Sequence, residues 1–185
     1  MVYETNKSNP DYKFDDEDFV HLFRRVAYGS VMAANEHLMK TKCWNSSSLI
    51  LAEAAKAHGR CFVISQFFAF IQDYQISSGL KLVLSSLFKL LAITWILENS
   101  SNFIRYAGLD FAMLDQLLLK RNRLLSEIRP ISVSLVDSFD FRDEVLGSTL
   151  GCWDGWVYHR LYQAAVKSPL NQEKNHHKDN FISKL

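Results

Sequence analysis

The sequence predicts an all-α fold, a helical bundle of about five to six helices. Three observations predict it. Glycine (7) and proline (3) are scarce in a chain of 185 residues, which disfavours a turn-rich β architecture. Long stretches place apolar residues at i, i+3 and i+4, the period of a helix with one buried face. Asp and Ser residues stand ahead of several of these stretches, where they would accept hydrogen bonds from the open N–H groups of a first turn.

The elements follow in order. Residues 1–17 are polar, with acids at Asp15, Asp16 and Glu17, and read as a linker or frayed N-terminus. They lack an apolar core segment, so they are not a signal peptide. A first helix begins near Asp18, with Phe19, Leu22, Phe23, Val26, Ser30 and Ala33 on one stripe. Its acids precede it and Lys40 and Lys42 follow, as the helix dipole favours. Gly29 in its middle is costly unless a neighbour needs the space. Ser46, Ser47 and Ser48 are expected to cap a second helix that reaches Asp73. Ser77 and Ser78 cap a third, Leu80–Leu97, the most apolar stretch. Lys81 and Lys89 inside it would each cost about 2.5–3.5 kcal/mol at a bilayer centre, so it reads as a core helix and not a membrane span.

After a break at Glu98–Asn102, Asp110 opens a fourth helix with Met113, Leu117, Leu118, Leu124, Leu125 and Ile128 on one stripe. Pro130 ends or offsets it. The run from Ile131 to Phe141 is expected to be helical or irregular, because one isolated strand would have no partner. Asp154 reads as the N-cap of a last helix that Ser168-Pro169 ends. The expected domain is therefore 18–169, with 170–185 as a polar tail.

The chemistry expected is sparse. Net charge is +1, which supplies no field for nucleic acid. Cys43, Cys61 and Cys152 are widely spaced and odd in number, so they read as free thiols, Cys61 as a buried one. No phosphate-cradling glycine loop, zinc-helix motif or nucleophile elbow is present. Asp137, Asp140, Asp143 and Glu144 lack calcium-loop spacing. His176-His177 read as solvated, and His58 as a histidine packed between helices. No catalytic, cofactor-binding or metal residue is predicted. Gly147, Gly151 and Gly155 recur every four residues: on one helix they would form a groove for close backbone contact, and in turns they would supply positive φ. Trp153 and Trp156 beside them fit either a subunit contact or a core.

The stretch from Arg129 to Asn171, "RPISVSLVDSFDFRDEVLGSTLGCWDGWVYHRLYQAAVKSPLN", resembles the C-terminal signature of peroxisomal acyl-CoA oxidases. Asp137, Phe139, Asp140, Phe141, Gly147, Gly151, Asp154, Gly155 and Tyr158 are among the positions that match, and they read as structural. Ala57 and His58 lie in a helix similar to another family segment. Ser183, Lys184 and Leu185 match the peroxisomal import signal that many members carry. Departures fall at Cys152, Trp153, Trp156 and His159, where the family has Arg, Tyr, Asn and Glu, and suggest an altered contact surface.

The resemblance implies an FAD-dependent reaction in the peroxisomal matrix. A glutamate takes the α-proton of an acyl-CoA, the flavin accepts hydride from the β-carbon, and O₂ reoxidises it to give H₂O₂. The flavin-binding region and that glutamate lie upstream of the region matched. The chain is therefore expected to be the C-terminal helical domain, a natural truncation or a partial gene model, inactive alone. Its implied partners are an import receptor, the catalytic domains and a second subunit, with no nucleic acid and no membrane span. The alternative is a stand-alone, non-catalytic helical interaction protein.

Overall fold

A computed structural model describes residues 13–73 and 75–172. Helices account for nearly all of the secondary structure, and the described residues contain no strand. The order is α1 (Asp16–Thr41), α2 (Trp44–Asp73), α3 (Ser78–Glu98), a single turn α4 (Ser100–Asn102) running into a π-helical turn (Phe103–Ala107), α5 (Phe111–Ile128), a 3₁₀ turn (Arg129–Ile131), α6 (Ser132–Asp137), α7 (Asp143–Leu146), α8 (Val157–Lys167) and α9 (Pro169–Gln172). The chain divides into two units between Ile131 and Ser132.

The first unit is a bundle of α1, α2, α3 and α5. The α1 helix packs chiefly on α2 and α3 on α5, while the π-helical turn lies against α1. Its entry is a capping box: Asp15 accepts from the Asp18 N–H at 2.9 Å, and the Asp18 side chain accepts from the Asp15 N–H at 3.3 Å. The predicted boundary at residue 17 therefore falls inside α1. Of the predicted stripe, Phe19, Leu22, Phe23, Val26 and Ser30 are buried, whereas Ala33 is half-buried and Ala34 beside it is buried. Phe88 of α3 is fully buried, with ring centroids of Phe67, Phe68 and Phe19 at 5.6, 6.1 and 6.3 Å. Phe23 meets Phe103 edge-on at 5.0 Å and Trp95 at 6.2 Å.

Ser77 caps α3 by accepting from the Leu80 N–H, and Asp110 caps α5 by accepting from the Met113 N–H at 2.8 Å. Among the described residues α3 is the helix long and apolar enough to cross a membrane. Phe88, Ala92, Ile93 and Ile96 are nevertheless buried in the bundle, and Lys89 stands 3.4 Å from Asp16. The reading as a core helix holds for this half, whereas Leu80 and Leu82 near its start are exposed.

Four expectations need correction. Ser46–Ser48 do not cap α2, which starts earlier, at Trp44, after a two-residue connection. Ser47 is instead fully buried, donating to the Cys43 carbonyl and lying 2.9 Å from Thr41 Oγ1 and 3.1 Å from His37 Nδ1. His58 is exposed, not packed between helices. Cys61 is only half-buried at the edge of the core. The α5 stripe is narrower than its sequence suggests, with Leu117, Leu124 and Ile128 buried but Leu118 and Leu125 exposed.

Gly29 has its neighbour. A Cβ built on it would lie 2.9 Å from Tyr106 Cβ and nearer still to the ring, because Tyr106 of the π-helical turn lies on the glycine. Gly29→Ala gains up to about 1 kcal/mol of helix propensity. Overpacking against a ring costs about 1–3 kcal/mol, so it wins. The urea midpoint of this variant is expected to fall. A midpoint equal to or above that of the parent would show that Tyr106 swings away freely.

Candidate interaction surface

The second unit is built from short elements joined by turns. After α6 the chain turns at Asp140, whose φ of 50° lies in the left-handed region. Phe139 and Phe141 flank it with rings stacked at 6.0 Å. Gly147 (φ 57°) ends α7, its N–H donating to the Asp143 carbonyl at 3.0 Å. Gly155 (φ 70°) turns the chain into α8. Both positions need glycine for a backbone that side chains resist.

The three glycines therefore lie in turns and do not form a groove on one helix. Gly151 does not share the requirement. Its φ is not in the left-handed region, and an added Cβ would sit in ordinary contact, 3.5 Å from Leu146 Cδ1.

Asp154 is not the residue flanking α8. The helix starts at Val157, and Trp156 flanks it without a side-chain cap. Asp154 accepts from the Trp156 N–H at 3.1 Å and from the Arg160 guanidinium at 2.7 Å. Arg160 also approaches Asp143 at 3.7 Å. It thus ties α7, the glycine turn and α8 together, a role that sequence reading missed. The only signal was two acids, Asp143 and Asp154, on either side of a turn that precedes a basic helix position. Hydrogen bonding by Arg160 holds the Asp154 carboxyl below its usual range, and Asp154 raises Arg160 in turn. Withdrawal from water pushes the Cys152 thiol up, with Asp143 and Asp154 adding to this against Arg160.

These ties do not build a core. No residue from Ser132 to Asn171 is buried. On α8, Tyr158, Leu161, Tyr162 and Val166 are exposed at helical spacing, and so are Phe139, Phe141, Leu150, Trp153 and Trp156 outside it. Trp153 is 88% and Tyr158 89% exposed, which two large aromatic side chains rarely are without a partner surface. A hollow of about 500 Å³ opens within this unit, lined by Asp137, Asp140, Asp143, Glu144, Phe141 and Trp153 among others. Among the described residues no three His, Cys, Asp or Glu side chains group to hold a metal. Ser183, Lys184, Leu185 and His176-His177 lie outside the described residues.

A family model described as "Acyl-CoA oxidase" matches residues 15–184. Peroxisomal acyl-coenzyme A oxidase 2 of Oryctolagus cuniculus is 35% identical over 159 residues, 86% of this chain and 22% of that protein. The Mus musculus protein of the same name is 38% identical over 132 residues, 71% of this chain and 19% of its own length. An acyl-CoA oxidase from tomato superposes with a TM-score of 0.81 at 26% identity, over 97% of this chain and 28% of that one. Acyl-CoA oxidase-2 of Caenorhabditis elegans, solved with FAD, ascaroside-CoA and ATP, gives 0.76 at 30% identity, over 90% and 26%. This chain spans about a fifth to a quarter of the length of the relatives it matches.

Proposed function

Because the chain belongs to the acyl-CoA oxidase family, we propose that it is the C-terminal helical domain of a peroxisomal, FAD-dependent acyl-CoA oxidase. Its role is to complete the subunit and its dimer. The second unit carries the reading: fourteen large apolar side chains from Val133 to Leu170 stand exposed there, and none is buried. Burying such area yields roughly 25 cal/mol per Å², a drive that only a larger surface can meet. The rest of the subunit or a second subunit supplies that surface. Ser183-Lys184-Leu185 supplies the address that an import receptor reads, which places the protein in the peroxisomal matrix.

The hollow of the second unit suits a flavin poorly. The hollow of the second unit carries four carboxylates, Asp137, Asp140, Asp143 and Glu144, against one cation, Arg142, and repels a pyrophosphate. A smaller hollow beside Ser30, Glu53, Asn102 and Arg105 holds about 320 Å³, and its Arg105 guanidinium lies over the Tyr106 ring at 5.2 Å. In this reading the FAD of the family sits in the region upstream, where it accepts hydride, and this chain contributes packing alone.

The purified chain is therefore expected to be colourless and to release no H₂O₂ when given FAD and palmitoyl-CoA. It is expected to bind the flavin-containing upstream region of a relative, and Trp153→Asp is expected to weaken that binding at least tenfold. A yellow, peroxide-forming chain would overturn the non-catalytic reading. Failure to bind the upstream region would overturn docking.

The second reading is a stand-alone interaction protein derived from an oxidase. It is favoured by Cys152, Trp153, Trp156 and His159, which depart from the family pattern; Trp153, Trp156 and His159 are exposed and Cys152 is half-buried. A reading frame that continues upstream through a flavin-binding segment would decide against it.

A further inference from the structure

The residues just ahead of α1 read from sequence as part of a linker, yet they are clamped. Phe14 is 5% exposed, its ring stacks on Phe19 at 6.3 Å, and its φ is 55°. A bulky residue keeps a left-handed backbone only where its surroundings hold it. Three helices do so. From α5, Lys120 Nζ donates to the Phe14 carbonyl and stands 5.7 Å from the Phe19 ring centroid. From α3, Ser85 Oγ donates to Asp16 at 2.9 Å and Lys89 approaches the same carboxylate at 3.4 Å. On α1 itself, the Asp15–Asp18 capping box fixes the first turn.

Lys120 is a costly choice for this position. Burial and the nearby Lys89 push its amine down from the usual lysine range, against Asp16, Asp15 and Asp18. A half-buried ammonium needs an acceptor, and the Phe14 carbonyl is one.

We propose that Lys120 is a latch: it pins Phe14 to α5, so that the polypeptide enters the bundle at one fixed point and not through a free linker. This rests on the bundle alone and stands whether or not the second unit docks on an oxidase.

The Lys13–Phe14 bond is itself a tryptic site, so the latch can be read directly. Cleavage there requires Phe14 to leave the bundle, and its rate follows the population of the opened form. Lys120→Met keeps the apolar stem and removes the ammonium. Well below its melting temperature, this variant is expected to be cut after Lys13 about tenfold faster than the parent or more, with cutting after Lys56 in mid-α2 unchanged. Lys120→Arg, which retains a cationic donor, is expected to restore most of the protection. Parental rates in Lys120→Met would overturn the proposal, and so would an equal acceleration at Lys56, since that reports opening of the whole bundle. Should Lys120→Met fail to fold, Lys120→Leu, which also removes the donor, carries the same measurement with the same opposed outcomes.

Discussion

Phe88→Ala is expected to destabilise the bundle by about 3–5 kcal/mol, the range for truncating a buried phenylalanine. Phe88 is at 0% exposure in α3, and three rings from two other helices close on it: Phe19 from α1, Phe67 and Phe68 from α2. Truncation removes the transfer energy of a benzyl group. It also leaves a cavity that these rings fill poorly, because Phe19 is itself held between Phe14 and Lys120. A domain of this size has about 5–15 kcal/mol of net stability, so a large fraction is lost in one substitution. Phe88→Leu keeps most of the volume and is expected to cost less. Thermal unfolding followed by circular dichroism distinguishes the two. A melting temperature for Phe88→Ala within a degree of the parent would mean that the aromatic cluster is not the centre of the core.

The elements that sequence reading placed well are those where one local signal meets one requirement. Asp110 stands ahead of an apolar repeat and is the N-cap of α5; Ser77 does the same for α3. Gly29 interrupts a helix, and the reason is a ring packed on it. The misplaced features answer to tertiary structure. Ser47 resembles a cap, but the tight α1–α2 connection at Lys42 and Cys43 turns it inward to bond with His37 and Thr41. Asp154 resembles a cap as well, yet α8 starts only at Val157, and the carboxylate of Asp154 instead takes the Trp156 N–H on one oxygen and the Arg160 guanidinium on the other. Gly151 shares a spacing of four with Gly147 and Gly155, and spacing alone does not tell which glycines need positive φ. The last helix is legible in the sequence from its end at Ser168-Pro169, whereas the exposure of its apolar face is not, because a helical pattern marks a face that wants burial and not where the burial occurs.

Deleting Leu185 is expected to leave the fold intact and to abolish peroxisomal import, an all-or-none effect from one residue. The sequence after Pro169 is polar and carries no apolar stripe at helical spacing. The change in stability is expected to stay within about 0.5 kcal/mol. The address is different in kind. A terminal Ser-Lys-Leu is read by a receptor, and a signal read at a free carboxylate loses its register when the last residue goes. The measurement is the distribution of a fluorescent protein fused to the N-terminus of the chain. It belongs in cells lacking endogenous acyl-CoA oxidase, because docking through the second unit would otherwise carry the truncated chain in with a full-length partner. The intact chain should give puncta that coincide with a matrix marker, and the truncated one a diffuse signal. Puncta that persist in those cells would show that Ser183-Lys184-Leu185 is not the address. Puncta that return only when an oxidase is supplied would confirm the address and report, in the same experiment, the docking that the exposed aromatic side chains Trp153, Trp156 and Tyr158 call for.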